Sequence, residues 1–235
     1  MEVLYTKHLS SPYIFGGPQP WSSTSWTTSD DRVRGGSSHS HLTINKDTNT
    51  ATFHGNLDIT TLGGAGFASQ HTSSTTEIWD LSSYAGLELS IPKSDGYTYT
   101  LNLKDILQDP RPDGRQRSGL VWEADFKVKE GENKVRLAWK EFRPTYRGKE
   151  VHMGRPLMLA GVKRFGIMIR SFFGKQEGEF ELEIESIKGI EKEEGRYRDD
   201  PSDSDIWDDE EYFDEKQLGQ DDKSAGSGWL CCGIC

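Results

Sequence analysis

The chain has 235 residues, 33% hydrophobic and 28% charged, with a formal charge of −10. Residues 1–190 carry 23 acids and 23 bases, so the whole excess sits in residues 191–235, with 15 acids against 5 bases. No stretch reaches the ~18–20 apolar residues of a membrane-spanning helix, a neutral body lacks the basic clusters that hold nucleic acid, and three Cys confined to residues 231–235 exclude a disulfide-stapled core.

The opening Met1-Glu2-Val3-Leu4-Tyr5-Thr6-Lys7-His8 has neither the basic start and apolar stretch of a secretory signal nor the Arg-rich pattern of a mitochondrial presequence, so a cytoplasmic or nucleocytoplasmic protein is expected. Trp21 and Trp26 follow in Pro/Ser/Thr-rich sequence and are expected exposed or capping. The pair Asp30-Asp31 before Arg32 offers oxygen ligands for calcium, but carboxylates bonding backbone amides in a turn is the simpler reading. His39 and His41 would share one face of a strand; His54, His71 and His152 are scattered, and no metal site is expected.

Alternating apolar and polar residues, the period of a strand, then dominate. Short candidates are Leu42 with Ile44, and Thr52 to Gly55. Gly63-Gly64-Ala65-Gly66 with Ser69 lacks the following helix that a phosphate loop needs, and predicts a tight turn of positive φ. Leu87, Leu89 and Ile91 alternate, as do Tyr97, Tyr99, Leu101 and Leu103. So do Leu120, Trp122, Ala124, Phe126 and Val128, whose other face carries Glu123 and Asp125 as on any solvated strand. Val135 to Trp139 and Phe165 to Ile169 are shorter. Phe180, Leu182 and Ile184, between Glu179, Glu181, Glu183 and Glu185, give the clearest one-sided strand. Lys93-Ser94-Asp95-Gly96 and Lys129-Glu130-Gly131-Glu132-Asn133 are turns. Short helical turns are expected at residues 104–108 and 140–142, but 25 Gly and 9 Pro disfavour long helices. Trp79, Trp122 and Trp139 sit in strand patterns and are expected in a core. The sum is an all-β sandwich or jelly roll over residues 1–190.

Acids run through residues 191–228 with few apolar residues, which predicts a disordered tail and linker. Ser202 and Ser204, among acids, suit an acid-directed kinase. Residues 229–235 form an abruptly apolar Cys-rich end. Cys232-Gly233-Ile234-Cys235 has the frame of a prenylation box, with Cys231 beside it as a second thiol for acylation; a lipidated end would tether the protein to a membrane. The body has no Cys, and no Gly-x-Ser-x-Gly occurs. No catalytic, cofactor or metal site is expected, and the chain is not expected to be an enzyme.

Several segments together resemble one family. Trp26 with Asp30-Asp31-Arg32-Val33-Arg34-Gly35-Gly36-Ser37-Ser38-His39-Ser40 resembles the opening signature of the complex I intermediate-associated protein 30 domain. Phe53-His54-Gly55-Asn56-Leu57, Gly63-Gly64-Ala65-Gly66-Phe67-Ala68-Ser69, Trp79-Asp80-Leu81, Phe142-Arg143-Pro144-Thr145-Tyr146-Arg147-Gly148 and Gly178-Glu179-Phe180-Glu181-Leu182-Glu183-Ile184 follow in that family's order. The nearest resemblance is to an uncharacterised, extramitochondrial fungal branch. The resemblance implies a galactose-binding-like β-sandwich and a non-enzymatic assembly chaperone that holds a protein partner, in the mitochondrion for members acting on respiratory complex I. A carbohydrate- or small-ligand-binding jelly roll, using loops near Trp21 to His41 and Arg111 to Arg117, is the alternative. The residues expected to matter most for loop geometry and partner binding are Trp26, Asp30, Asp31, Arg32, Gly35, Gly36, Gly63, Gly64, Gly66 and Trp79.

Overall fold

The computed structural model describes residues 5–7, 11–112, 117–152 and 155–192. The acidic tail beyond Lys192, Ser202, Ser204, Cys231 and Cys232 lie outside the described residues, as do residues 113–116 of the Arg111 to Arg117 loop. Seventeen strands are described: β1 (Tyr5–Lys7), β2 (Tyr13–Gly16), β3 (Trp26–Thr28), β4 (His39–Asn45), β5 (Thr50–Leu57), β6 (Phe67–Thr72), β7 (Glu77–Trp79), β8 (Tyr84–Ser90), β9 (Lys93–Ser94), β10 (Thr98–Lys104), β11 (Leu120–Lys127), β12 (Lys134–Ala138), β13 (Arg143–Tyr146), β14 (Lys149–Glu150), β15 (Arg164–Arg170), β16 (Gly178–Ile184) and β17 (Ser186–Glu191). Helical structure among the described residues is limited to single 3₁₀ turns, one of them Trp139–Glu141 where a turn was expected. Residues 104–108 end a strand and form no helix.

One sheet runs β14-β13-β11-β10-β15-β6-β3; two four-stranded sheets run β12-β8-β17-β2 and β4-β5-β16-β9. Glu185, between β16 and β17, donates its amide to the Ser90 carbonyl at 2.8 Å, so the two smaller sheets join through one bent strand. The result is a galactose-binding-like, jelly-roll β-sandwich. Its core follows the two-residue period. Tyr99, Leu101 and Leu103 of β10 meet Trp122, Ala124 and Phe126 of β11 and Phe165, Ile167 and Ile169 of β15, all buried. From the opposite layer Phe180, Leu182 and Ile184 turn inward, while Glu179, Glu181 and Glu183 stay outside. Each such side chain contributes about 1.5–3 kcal/mol on leaving water. Of the predicted turns, Lys93–Ser94 instead form β9 against β16 and the turn is confined to Asp95-Gly96, where Asp95 accepts the Tyr97 amide at 3.0 Å; in the other, Glu132 donates its amide to Lys129 at 3.0 Å.

Two expectations about tryptophan are corrected. Trp21 and Trp26 are only 5% and 7% exposed. They pack with Phe15, whose ring lies 5.5 Å from Trp21 and 5.2 Å from Trp26, and Trp21 Nε1 satisfies itself on the Glu185 carbonyl at 3.0 Å. Trp139, expected in the core, is half-buried, and its Nε1 donates to the Tyr84 carbonyl at 2.7 Å. Packing against neighbouring rings, and not the polarity of the chain neighbours, decides which indoles are buried.

Candidate functional site

The acidic signature is consumed by the fold. Asp30 is 3% exposed and Asp31 fully buried. Asp30 accepts the Ser40 amide (3.0 Å) and hydroxyl (2.7 Å) from β4, and the Ser69 amide (2.9 Å) from β6. Asp31 accepts the Ser38 amide (3.0 Å) and hydroxyl (2.7 Å), and the Phe67 amide (3.1 Å). Two adjacent carboxylates therefore clip β4, in one layer, to β6, in the other. Gly36 belongs to the clip, because a Cβ there would lie 2.3 Å from the Asp31 carboxyl. Gly35 ends the turn, and the exposed guanidinium of Arg32 lies 3.7 Å from Asp30. The turn-stabilising reading thus describes the pair better than a calcium site, although the amides it satisfies come from other strands.

Gly63 and Gly64 have φ of 63° and 96°, and Gly64 donates its amide to Ile59 at 2.7 Å, in the tight turn expected. Strand β6, not a helix, follows. Gly66 passes so close to the Asp58 carbonyl that a Cβ would sit 2.2 Å from it. Trp26 and Trp79 are core side chains; Trp79 is 1% exposed. None of these residues shares a site with another apart from the Asp–Gly clip. On the outer face of β4 and β5, His39 and His41 do share a side, and pairing brings His54 to a ring separation of 5.6 Å from His41. Among the described residues no group of three or more His, Cys, Asp or Glu is set to hold a metal ion.

The structure assembles two sites that strand periodicity did not reveal. The first is a groove of about 150 Å³ on the outer face of the seven-stranded sheet, lined in part by Phe67, His71, Asn102, Glu123, Arg164 and Met168. Glu123 and Asp125 share this face as expected, but not as a solvated pair. Arg170 reaches from β15 across β10 to both, at 2.8 Å and 2.6 Å. Burial of Glu123 pushes its carboxyl above the ordinary range, against the pull of Arg170. Burial, with the Arg164 and Lys104 charges, holds His71 down at about 4. The Asn102 Oδ1 is buried without a hydrogen-bond partner. Arg164 and Arg170 bracket the apolar run of β15, and that bracketing was the one available signal in the sequence.

The second is an apolar groove of about 420 Å³ walled by Trp122, Trp139, Phe142, Pro144, Leu157 and Leu159, with Lys140 and Arg155 at its polar margin. The Trp122 Nε1 is buried and has no hydrogen-bond partner. Arg155 is held by the fully buried Asp105 at 2.6 Å, and Asp105 also accepts the Met158 amide at 3.0 Å. Burial acts to raise the Asp105 carboxyl, but these bonds together keep it below its ordinary value. The ion pair fixes the Arg155–Leu159 wall. Leu157 therefore faces Trp122 from a segment with little regular structure of its own.

The chain is thus a jelly-roll sandwich with grooves on its sheet face and edge, and its paired acids Asp30 and Asp31 are spent on folding. Residues 13–184 match the family described as Complex I intermediate-associated protein 30, and the chain belongs to that family. An uncharacterised Schizosaccharomyces pombe protein, C9E9.15, is 44% identical over 184 residues, covering 76% of this chain and 84% of that protein. Among solved structures, the family 11 carbohydrate-binding module of the cellulosomal cellulase Lic26A-Cel5E of Clostridium thermocellum superposes with a TM-score of 0.50 at 11% identity, over 79% of this chain and 97% of the module. That likeness is one of fold.

Proposed function

We propose that this chain is a non-catalytic binding module that holds a protein partner by taking an apolar segment of it into the Trp122–Trp139–Phe142 groove. The observation that carries the reading is the groove itself: about 420 Å³ of mostly apolar wall, built from Trp122, Trp139, Phe142, Leu157 and Leu159. Aromatic anchors in such a setting dominate the energetics of protein interfaces. The family description, which speaks of association with complex I intermediates, agrees with a protein ligand. The test is affinity purification of the full chain beside Trp139→Ala. A protein retained by the wild type and lost with the variant supports the reading; a wild type that retains nothing overturns it.

A second reading is favoured by the polar groove. Asn102, Ser69 and His71 line it beside the Glu123–Arg170 pair, a polar space suited to a small polyhydroxylated ligand. A glycan array probed with the full chain should then give binding that Asn102→Leu abolishes, and a blank array removes this reading. In either case we propose a cytoplasmic or nucleocytoplasmic place of action, with the mitochondrion as the alternative that the family suggests. A lipid on Cys231 or Cys232 would hold it to a membrane surface.

A further inference from the structure

We infer that the apolar groove is occupied in cis by the acidic, aromatic segment of this chain's own tail centred on Ile206-Trp207 and Tyr212-Phe213, so that a protein partner must displace it. The inference rests on the groove being a peptide-accepting site and adds its regulation.

Three observations converge on this occupant. The first is where the tail begins. β17 ends with Glu191 paired to Tyr84, and Lys192 bonds the Ser82 carbonyl at 2.8 Å. The carbonyl of Tyr84 accepts the indole N–H of Trp139, which lines the groove. The tail therefore leaves the sandwich one residue pair from the groove wall. Fourteen residues follow Lys192 up to and including Ile206, and a random coil of that length spans about 20 Å, enough to reach the wall.

The second is charge. Lys134 and Arg136 stand on β12, and Lys140, next to Glu141 in the 3₁₀ turn that follows, lines the groove. Lys134 and Arg136, with Lys188 of β17, converge on the single carboxylate of Glu88, at 3.9, 2.8 and 3.2 Å. Three cations on one acid leave a surplus of two positive charges on this strip. Residues 203–215, Asp-Ser-Asp-Ile-Trp-Asp-Asp-Glu-Glu-Tyr-Phe-Asp-Glu, contain eight acids and no base.

The third is side-chain chemistry. Within those thirteen residues stand one isoleucine and three aromatics, in a segment 191–228 otherwise poor in apolar groups. An apolar groove walled by Trp122, Trp139, Phe142 and Leu157 suits such side chains. Acids flanking an aromatic pair would lie on the cationic strip while the rings enter the groove.

The experiment uses the full chain labelled with ¹⁵N at tryptophan, comparing the wild type with Trp207→Ala, and a synthetic peptide of residues 203–215 added in trans. Cis docking predicts that Trp207→Ala moves the indole signals of Trp122 and Trp139 and leaves those of Trp21 and Trp26 in place. It also predicts that the peptide binds the variant more tightly than the wild type. For a peptide that binds at about 0.1 mM, a tail at an effective concentration of about 1 mM weakens trans binding about tenfold. Unmoved signals and equal peptide affinities for wild type and variant, with the peptide still shifting Trp122 and Trp139, overturn the cis occupant and leave the groove as a protein site. If neither the peptide nor N-acetyl-tryptophanamide shifts those two signals, the groove reading falls as well. Shifts that grow with protein concentration mean exchange of tails between copies, and also overturn docking in cis.

Discussion

Replacing Asp31 with Ala strands two backbone amides, those of Ser38 and Phe67, in a site fully closed to solvent. The Ser38 hydroxyl loses less, because it also lies 3.3 Å from the Asp58 carbonyl. A stranded buried amide costs about 1–3 kcal/mol. Removing the carboxylate returns part of that by abolishing its own desolvation. The net expectation is a loss of about 3 kcal/mol, equivalent to about 6–12 °C in Tm for a domain of this size. Urea unfolding followed by tryptophan fluorescence measures it. Gly36 supplies the internal check. A Cβ at this position would lie 2.3 Å from the Asp31 carboxyl, whose atoms are its three nearest neighbours and are absent in Asp31→Ala. Gly36→Ala should thus cost at least about 1–2 kcal/mol alone and close to nothing in the Asp31→Ala background, a coupling that a double-mutant cycle reports directly. A loss below about 1 kcal/mol for Asp31→Ala, or fully additive costs, refutes the clip as described.

His71 gives the domain a pH dependence. Its folded form binds a proton only near pH 4 against an ordinary 6.5, so the unfolded chain takes up the proton first. Stability is intact above pH 6.5 and falls by about 3 kcal/mol as pH drops to 4; urea midpoints across that window should flatten in His71→Gln. Arg155→Met leaves the carboxylate of Asp105 buried and unmatched. It should cost about 3 kcal/mol and loosen the Leu157 wall of the apolar groove, whereas Arg155→Met with Asp105→Leu recovers most of the loss, as thermal melts will show. A metabolic prenyl label should enter the wild-type chain and vanish in Cys232→Ser; an unlabelled wild type removes the lipid tether.

Where one face of a strand is wet, the fold was legible in the sequence. β16 shows it most plainly, since Glu179, Glu181 and Glu183 face water beside Phe180, Leu182 and Ile184. β6 was not legible as a strand. Five of its six residues are buried: Ala68, Gln70 and Thr72 face the opposite layer, and Phe67 and Ser69, on the other face, are closed off from water as well. Burial on both faces erases the alternation that marks a strand. The site followed the same division. Asp30 and Asp31 were readable as acids that bond backbone, since that chemistry lies in the residue type. Their partners at Ser38, Ser40, Phe67 and Ser69 were not, being supplied by two strands up to 39 residues away.

By itself the sequence determined a neutral β-sandwich followed by an acidic tail, because strand period, turn chemistry and charge are all local properties of the chain. Only the tertiary structure decided that Trp21 and Trp26 are core, that Arg170 closes over Glu123 and Asp125, and that Trp122, Trp139 and Leu157 meet in one groove beside the point where the tail departs. Those contacts depend on which strands become neighbours. Strand order is set by packing the whole core at once, and no window of residues contains it.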